Sequence, residues 1–343
     1  MLRLLAKGRV RSHKHISIVL IAVAVVVWTL YCFIPEGVYL TKIIELPVRK
    51  PPRTVVSIST FSQRVFLMRE CLDSVFAQSQ LPDRVIITIP RTFRALQETT
   101  AAGWSDVSVQ TAWHNETEAD MVDWFCKYVG AQHEYHVNTD LHKTSYVYEI
   151  GTLTVQFLDN DEEWGPGTKL IGALLLEKDP DTVIVTLDDD VVYSTDTVKW
   201  LSTHMHPNVS LSYACEMWDV SKSSIIAYGM WTVFDLYMTT PRVCDGWLSG
   251  WTGVAHHVSS FRPDIWTFLQ SLPTACFDND DMWLSAYVAR QGVTKIYAPQ
   301  VVKHVKHVRN LKYSLSTNVR KREKSYSCAR HLFPFEGQTS TYA

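Results

Sequence analysis

Neither sign of charge dominates this sequence of 343 residues. Its 33 lysines and arginines nearly balance its 35 aspartates and glutamates, and no long basic run stands out. Binding of a nucleic acid requires a clustered positive field that attracts phosphates, so a nucleic acid is not an expected partner. Any contact with a phosphorylated ligand must therefore come from a local site or from a bound metal ion.

Three patterns that define other classes of protein are also missing. The sequence has no visible internal repeat, and no spacing of its cysteines and histidines matches a structural zinc site. Residues 165–169 (GPGTK) lack the GxxxxGK[ST] spacing of a phosphate-binding loop, and no strand pattern comes immediately before them. This segment therefore predicts a turn and the start of a helix.

One long apolar run is present, at residues 16–34. Its nineteen residues are uncharged, and a helix of that length spans roughly 28 Å, close to the ~30 Å hydrocarbon core of a membrane. Five basic residues precede the run and fewer follow it, which places the N-terminus in the cytosol and the rest in a lumen. A cleaved signal peptide is the alternative, but its apolar core is usually shorter and ends at a small-residue site, which is not seen before Pro35.

The chain is expected to be a single-pass protein of the Golgi or endoplasmic reticulum membrane, with its main domain in the lumen. The predicted divisions are a cytosolic tail (1–15), a signal anchor (16–34), a proline-rich stem (35–53), a main domain (54–315, with a polar, aperiodic region at 113–150 predicted to be an inserted loop) and a C-terminal extension (316–343). Sequons at Asn115 and Asn208 support this topology weakly.

Six cysteines beyond the anchor permit up to three disulfides. They are Cys71, Cys126, Cys215, Cys244, Cys276 and Cys328. Six cysteines allow fifteen pairings, so the sequence leaves the pairing open.

Strand and helix patterns alternate after the stem. Apolar and β-branched runs predict strands at 54–60, 85–89, 153–158 and 182–187. Helical spacing predicts helices at 68–76, 170–175, 194–205, 263–272 and 280–290. Short apolar strands that alternate with helices predict an α/β fold, with a mixed, mostly parallel sheet flanked by helices.

An acidic triplet, Asp188, Asp189 and Asp190, directly follows the strand at 182–187. Ligands of open α/β sheets bind outside the carboxyl ends of the strands. Three carboxylates there repel one another unless something positive lies among them, and a hard divalent cation with oxygen ligands meets that need. A solvated acidic turn that caps the next helix is the alternative.

A second acidic cluster begins the predicted helix at 280–290. Carboxylates at a helix N-terminus are favoured by the helix dipole and often serve only as caps, which explains Asp278 fully. Asp280 and Asp281 remain as candidates for chemistry.

Both clusters resemble motifs of GT-A-fold glycosyltransferases. The stretch TLDDDVVYSTDTVKWL is similar to their aspartate (DxD) motif, in the DDD form of the β-1,3-galactosyltransferase group. Residues 55–90 resemble the first strand, helix and second strand of that fold, as in family-two-like enzymes. Asp280 and Asp281, which are followed by MWLS, resemble the family's Glu-Asp pair, whose Asp is the general base of inverting transfer. The resemblance covers residues 54–310 in patches.

The resemblance implies metal-dependent, inverting transfer of a sugar from a nucleotide-diphosphate donor, expected to be a UDP-sugar, to a glycan or glycoprotein. Mn²⁺ is the expected metal and Mg²⁺ the alternative. Asp188 and Asp190 would meet ribose and metal, with Asp190 most directly on the metal. Asp281 would accept the proton of the attacking hydroxyl, which is otherwise a poor nucleophile. Asp280 stands where the family has Glu, so an alternative alignment of the pair with the motif, in which Asp280 is the base, stays open.

Several further side chains are candidates, each with an alternative. Asp189, Lys169 and Arg64 are candidates for the donor site, although Arg64 could equally be a surface arginine. His304 is a candidate metal ligand, in preference to His307, although both could lie on an exposed face. Asp159 and Asp161 could meet the nucleobase, but their pattern favours a position in a surface loop.

A glycine- and tryptophan-rich segment lies between the two acidic clusters. Glycine lets a chain approach a ligand closely and tryptophan stacks on sugar rings, so Gly250, Trp247 and Trp251 are candidates for acceptor binding. Tryptophan is equally ordinary core material.

Two other functions remain open. A sugar-nucleotide pyrophosphorylase shares an α/β sheet with acidic metal ligands, but it has a glycine-rich loop after the first strand, where this chain has STFSQR. The other is a non-catalytic, membrane-anchored sugar-binding protein of the same fold, which only measurement can separate from an enzyme.

Overall fold

The computed structural model describes residues 46–49, 52–91, 117–139, 144–158, 164–219, 224–228, 241–277, 279–298, 306–307 and 319–333. All of them belong to one unit of the chain, residues 43–343. The predicted anchor at 16–34 lies outside these ranges. Within them, no helix combines the length and the apolar character that a membrane span requires.

The described elements alternate along the first half of the chain. The strands are β1 (Thr54–Ser59), β2 (Arg84–Pro90), β3 (Glu134–Asn138), β4 (Ser145–Ile150), β5 (Leu153–Leu158), β6 (Val183–Asp188), β7 (Val191–Val192), β8 (Val209–Ser212), β9 (Cys215–Asp219), β10 (Ser224–Tyr228), β11 (Arg242–Val243), β12 (Trp247–Leu248), β13 (Val254–His257), β14 (Thr294–Tyr297) and β15 (Lys306–His307). The helices are α1 (Ser62–Val65), α2 (Arg69–Phe76), α3 (Glu118–Val129), α4 (Thr168–Leu176), α5 (Thr197–Thr203), α6 (Ile265–Ser271), α7 (Asp280–Arg290) and α8 (Val319–Leu332).

The main sheet has the strand order β11-β14-β8-β13-β6-β1-β2-β5-β4-β3. Its centre, β6-β1-β2-β5, is parallel throughout, with Val55 opposite both Ile184 and Arg84. The pairings leave β4, β11 and β13 running against the other seven strands. The predicted mixed, mostly parallel sheet is therefore confirmed.

The central strands are apolar without alternation because both faces of the sheet are covered. Val56 and Ile58 of β1 pack with α2 on one face. Val55, on the same strand, packs with Leu170 and Ile171 of α4 on the other. A strand that is buried on both faces needs apolar side chains at successive positions, which is the pattern that predicted β1, β2, β5 and β6.

The region at 113–150 differs from its prediction. Within its described part it contains α3, β3 and β4, so the loop interpretation was wrong for these residues. A capping box between Thr117 and Asp120 starts α3. The helix then buries Met121, Val122 and Phe125 against the sheet. Strands β3 and β4 extend the sheet beyond β5.

Two disulfides join described cysteines in the second half of the chain, Cys215–Cys244 and Cys276–Cys328. Cys71 and Cys126 are thiols. The second disulfide attaches α8, which lies in the predicted extension, to the 3₁₀ turn Thr274–Cys276 that precedes α7.

Candidate active site

The candidate site lies at the carboxyl edge of the parallel strands. Ser59, at the end of β1, pairs with Asp188, at the end of β6. Thr60 and Asp189 follow them at the same edge, which is where open α/β sheets bind ligands. The first turn of α4 and the start of α7 bring the remaining side chains to this edge.

Arg64 holds two carboxylates of the acidic triplet. Its Nη2 lies 2.6 Å from Oδ1 of Asp189 and 3.0 Å from Oδ2 of Asp190. Thr60 Oγ1 donates to Oδ2 of Asp189 at 2.6 Å. Burial raises the pKa of Asp189 to about 6, although Arg64 opposes the rise. Arg64 is itself buried, so its interpretation as a surface arginine was wrong.

Lys169 joins the two acidic clusters. Its Nζ donates to Oδ1 of Asp188 at 2.6 Å and forms an ion pair, at 3.0 Å and without hydrogen-bond geometry, with Oδ2 of Asp280. Burial acts to lower the pKa of Lys169, but Asp188, Asp280 and Asp281 outweigh it and raise that pKa well above its usual range. The ammonium therefore stays charged in the interior.

The acidic pair occupies the first turn of α7. Carboxylates there are stabilised by the helix dipole. Asp280 is buried, whereas Asp281 is partly exposed. Oδ2 of Asp281 accepts a hydrogen bond from the backbone amide of Gly250 at 2.9 Å. Burial raises the pKa of Asp281 well above its usual value, Asp280 adds to the rise and Lys169 opposes it.

Two glycines permit close contacts around the acidic pair. A Cβ at Gly250 would lie 2.4 Å from Oδ1 of Asp281, so a side chain there would require that carboxylate to shift. A Cβ at Gly167 would lie 2.1 Å from the Trp283 ring, which packs the start of α4 against α7. The segment at 165–169 therefore uses a glycine for packing, and the predicted turn and helix start are confirmed.

The two tryptophans of the glycine-rich segment differ in position. Trp247 is 2% exposed, and its Nε1 donates to Oε2 of Glu216 at 3.3 Å. It therefore matches the core alternative. Trp251 is partly exposed and packs against the core on the face of the sheet that contains Val56 and Ile58. Ser249 Oγ also donates to Glu216, at 2.7 Å.

Carboxylates outnumber cations at this edge. When all are ionised, two cations, Lys169 and Arg64, face five carboxylates among the described residues, which leaves three negative charges. The five are Asp188, Asp189, Asp190, Asp280 and Asp281.

A divalent ion suits this excess of negative charge. The side chains of Asp188 and Asp190 are 30% and 23% exposed, whereas Asp189 is 7% exposed. Their carboxylate oxygens are ligands that Mn²⁺ and Mg²⁺ accept. No group of three or more metal-ligating side chains occurs among the described residues. Asp188 and Asp190 could therefore supply at most part of an ion's shell, and other donors would have to complete it.

Some predicted residues lie outside the described ranges: Asn115, Asp159, Asp161, Asp278 and His304. The backbone of His307 is described in β15, where it pairs with Val191, the residue after Asp190. The sequence did not single out Thr60, Glu216 or Asn279. Thr60 could have been found as the residue after β1, but the others meet their partners only through the fold.

No family model and no curated protein matches the sequence. Among solved structures, the chain is similar to an active-site mutant of LgtC, with 11% identity, 70% of each chain covered and a TM-score of 0.33. It is also similar to the galactosyltransferase LgtC in complex with donor and acceptor sugar analogues, with 11% identity and a TM-score of 0.28. That match covers 60% of this chain and 58% of the other. At these values the likeness assigns neither a fold nor an activity.

Proposed function

We propose that the chain is a GT-A-type glycosyltransferase that uses a nucleotide-diphosphate sugar and a divalent metal ion. One observation carries the proposal: two acidic clusters from distant parts of the chain meet around Lys169 at the carboxyl edge of a parallel sheet. Sugar transfer needs one acidic group for the metal and another for the base, which this arrangement can supply.

The donor half of the site centres on the triplet. Asp188 and Asp190 would hold Mn²⁺, with Mg²⁺ as the alternative, and the bound ion would supply positive charge for the leaving diphosphate. Arg64 and Lys169 add fixed positive charge at the same edge. Asp189, which accepts a hydrogen bond from Thr60, pairs with Arg64 and orients it. We propose that His304 contributes to this half.

The acceptor half centres on Asp281. Asp280 is tied to Lys169, whereas Asp281 is partly exposed and oriented by the Gly250 amide. A carboxylate with a raised pKa accepts a proton more readily once it is ionised. We therefore assign the base to Asp281, with inversion at the anomeric carbon, and we propose Trp251 for contact with the acceptor sugar.

The cellular setting rests on the sequence. We propose a uridine-linked donor, a glycan or glycoprotein acceptor, and a Golgi or endoplasmic reticulum membrane protein anchored by residues 16–34. The sequon residue Asn208 is exposed in a turn, where a glycan can be accommodated.

A thermal-shift panel of nucleotide sugars, with and without Mn²⁺, tests the proposal. A ligand that binds only the folded state at 100 times its Kd adds about 2.7 kcal/mol to stability, so one sugar nucleotide should raise Tm by several degrees, and only with Mn²⁺. Transfer to an acceptor is then followed by mass spectrometry.

Asp190→Asn should abolish the Mn²⁺-dependent shift. Asp196→Asn is the control, because that exposed carboxylate accepts from Ser79 away from the triplet. Binding without transfer would favour the sugar-binding protein, and a panel without any shift would reject both.

A further inference from the structure

Helix α8 is attached to the segment immediately before the acidic pair by two links. Cys328 of α8 forms a disulfide with Cys276, which ends the 3₁₀ turn. One turn earlier on α8, Ser325 Oγ donates to Oδ1 of Asn279 at 2.7 Å. Asn279 is the residue before Asp280, so both links end within five residues of Asp281.

The hydrogen-bonded link is buried. Ser325 is 5% exposed and Asn279 is 7% exposed. The amide Nδ2 of Asn279 donates to the carbonyl of Ala275 at 2.9 Å, so this one side chain joins α8 to the 3₁₀ turn. A buried polar network with its partners in place favours one conformation, because breaking it leaves a polar group unpaired.

The acidic pair is sensitive to the position of this segment. Asp280 faces Lys169, and Asp281 meets the amide of Gly250 with no room for displacement toward that residue. A shift of about 1 Å at a reacting group can reduce a rate by about a hundredfold.

We infer that Ser325 and Asn279 are positioning residues that set the place of Asp281 through the start of α7, with the Cys276–Cys328 disulfide holding α8 against the turn. Neither residue touches the reacting atoms. The C-terminal helix thereby completes the acceptor half of the site. The catalytic part of this inference rests on the proposed function, whereas the placement of Asp281 does not.

Ser325→Ala tests the inference by removing the hydroxyl that donates a hydrogen bond to Asn279. We expect kcat to fall about tenfold while KM for the donor changes less than twofold, because the donor half is untouched. Ser325→Thr keeps the hydroxyl and should retain kcat within about threefold of the wild-type value. Ser202→Ala is the matched control, because its hydroxyl is also buried and donates to a helix carbonyl, that of Lys199, at 3.1 Å.

Amide hydrogen exchange at Gly250 supplies a readout that needs no turnover. We expect faster exchange in Ser325→Ala and wild-type exchange in Ser202→Ala, because the Gly250 amide donates to Asp281. Unchanged Gly250 exchange in Ser325→Ala would overturn the inference, whether or not kcat falls. If the wild-type protein transfers no sugar, the proposed function fails, and the exchange result still decides the placement of Asp281.

Discussion

The two acidic clusters differ in what neutralises them. In the triplet, two side-chain cations face three carboxylates, and Asp188 and Asp190 stay partly exposed. The pair on α7 shares one of those cations, and Asp281 relies on a backbone amide. The difference teaches how one residue type can serve two roles in one site. Asp188 and Asp190, each partly exposed and paired with a cation, would suit a bound ion, whereas Asp281, whose pKa is raised well above its usual value, would suit a proton.

The largest effect should come from removing the proton acceptor. Asp281→Asn should lower kcat by about 10²–10⁴-fold, because general base catalysis contributes on that order, and should leave the donor-induced Tm shift unchanged. The measurement is steady-state transfer at saturating donor. Asp280→Asn, at the adjacent position, should reduce kcat far less. The reverse result would move the base to Asp280.

Removing the shared cation should have the next largest effect. Lys169→Met leaves the carboxylates of Asp188 and Asp280 without their cation, and breaking a buried ion pair from one side costs about 3–5 kcal/mol. Urea denaturation measures that loss in the free energy of unfolding. Lys127→Met is the control, because its ion pair with Asp123 is exposed and its loss should not be measurable. Equal stabilities for the two variants would contradict the bridging role.

A methyl group at Gly250 should disturb Asp281 most, since the nearest atom of Lys169 lies farther away, at 3.3 Å. Its Cβ would lie 2.4 Å from Oδ1 of Asp281, so Gly250→Ala should displace that carboxylate and lower kcat about ten- to a hundredfold. Gly130→Ala is the control: its Cβ meets open space, and its φ of 73° costs alanine about 1 kcal/mol of stability without affecting kcat. A wild-type kcat for Gly250→Ala would remove Asp281 from the mechanism.

The smallest effect concerns pH. A base acts only when it is ionised, so kcat/KM should fall as the pH is lowered through the pKa of Asp281. That pKa lies well above the ordinary value of 3.8. Because Lys169 opposes this rise, Lys169→Met should move the acid limb to higher pH. An acid limb at 3.8 in the wild-type profile would contradict the assignment.

The stability carried by Asp281 should have the opposite dependence on pH. The folded state holds this proton more tightly than the unfolded state, so the contribution grows as pH falls from the raised pKa toward 3.8 and is lost as pH rises through the raised value. Urea denaturation of Asp281→Asn across this range should show a flatter profile than the wild-type protein.

The central sheet could be predicted because local pattern and burial coincide there. Strands β1, β2, β5 and β6 are covered on both faces, so each is buried along almost its whole length and consists mostly of apolar or β-branched residues. Helix α7 has its predicted bounds. Strand β3 could not be found, because four of its five side chains are exposed and it is fixed by pairing with β4. The antiparallel β13 between β6 and β8 is likewise set by distant pairing.

The candidate site likewise contains residues that could be predicted from the sequence and residues that could not. The acidic residues could be found from their positions after β6 and at the start of a helix, and their roles remain proposals. Their cations could not be assigned from sequence, because Lys169 reaches Asp188 and Asp280 only once α4 and α7 pack together. Arg64 looked equally suited to a surface, since no local pattern reveals that α1 turns it toward Asp189.

The distribution of disulfides sets an order for assembling the molecule. Residues 54–212 contain Arg64, Lys169 and the triplet, and their described cysteines are thiols. The acidic pair instead lies within the stretch closed by Cys276 and Cys328. During synthesis, which runs from the N-terminus, the residues of the donor half are made before Cys328, so the Cys276–Cys328 disulfide can form only after they exist. If the chain has the proposed function, reduction of this disulfide should therefore impair transfer more than sugar-nucleotide binding.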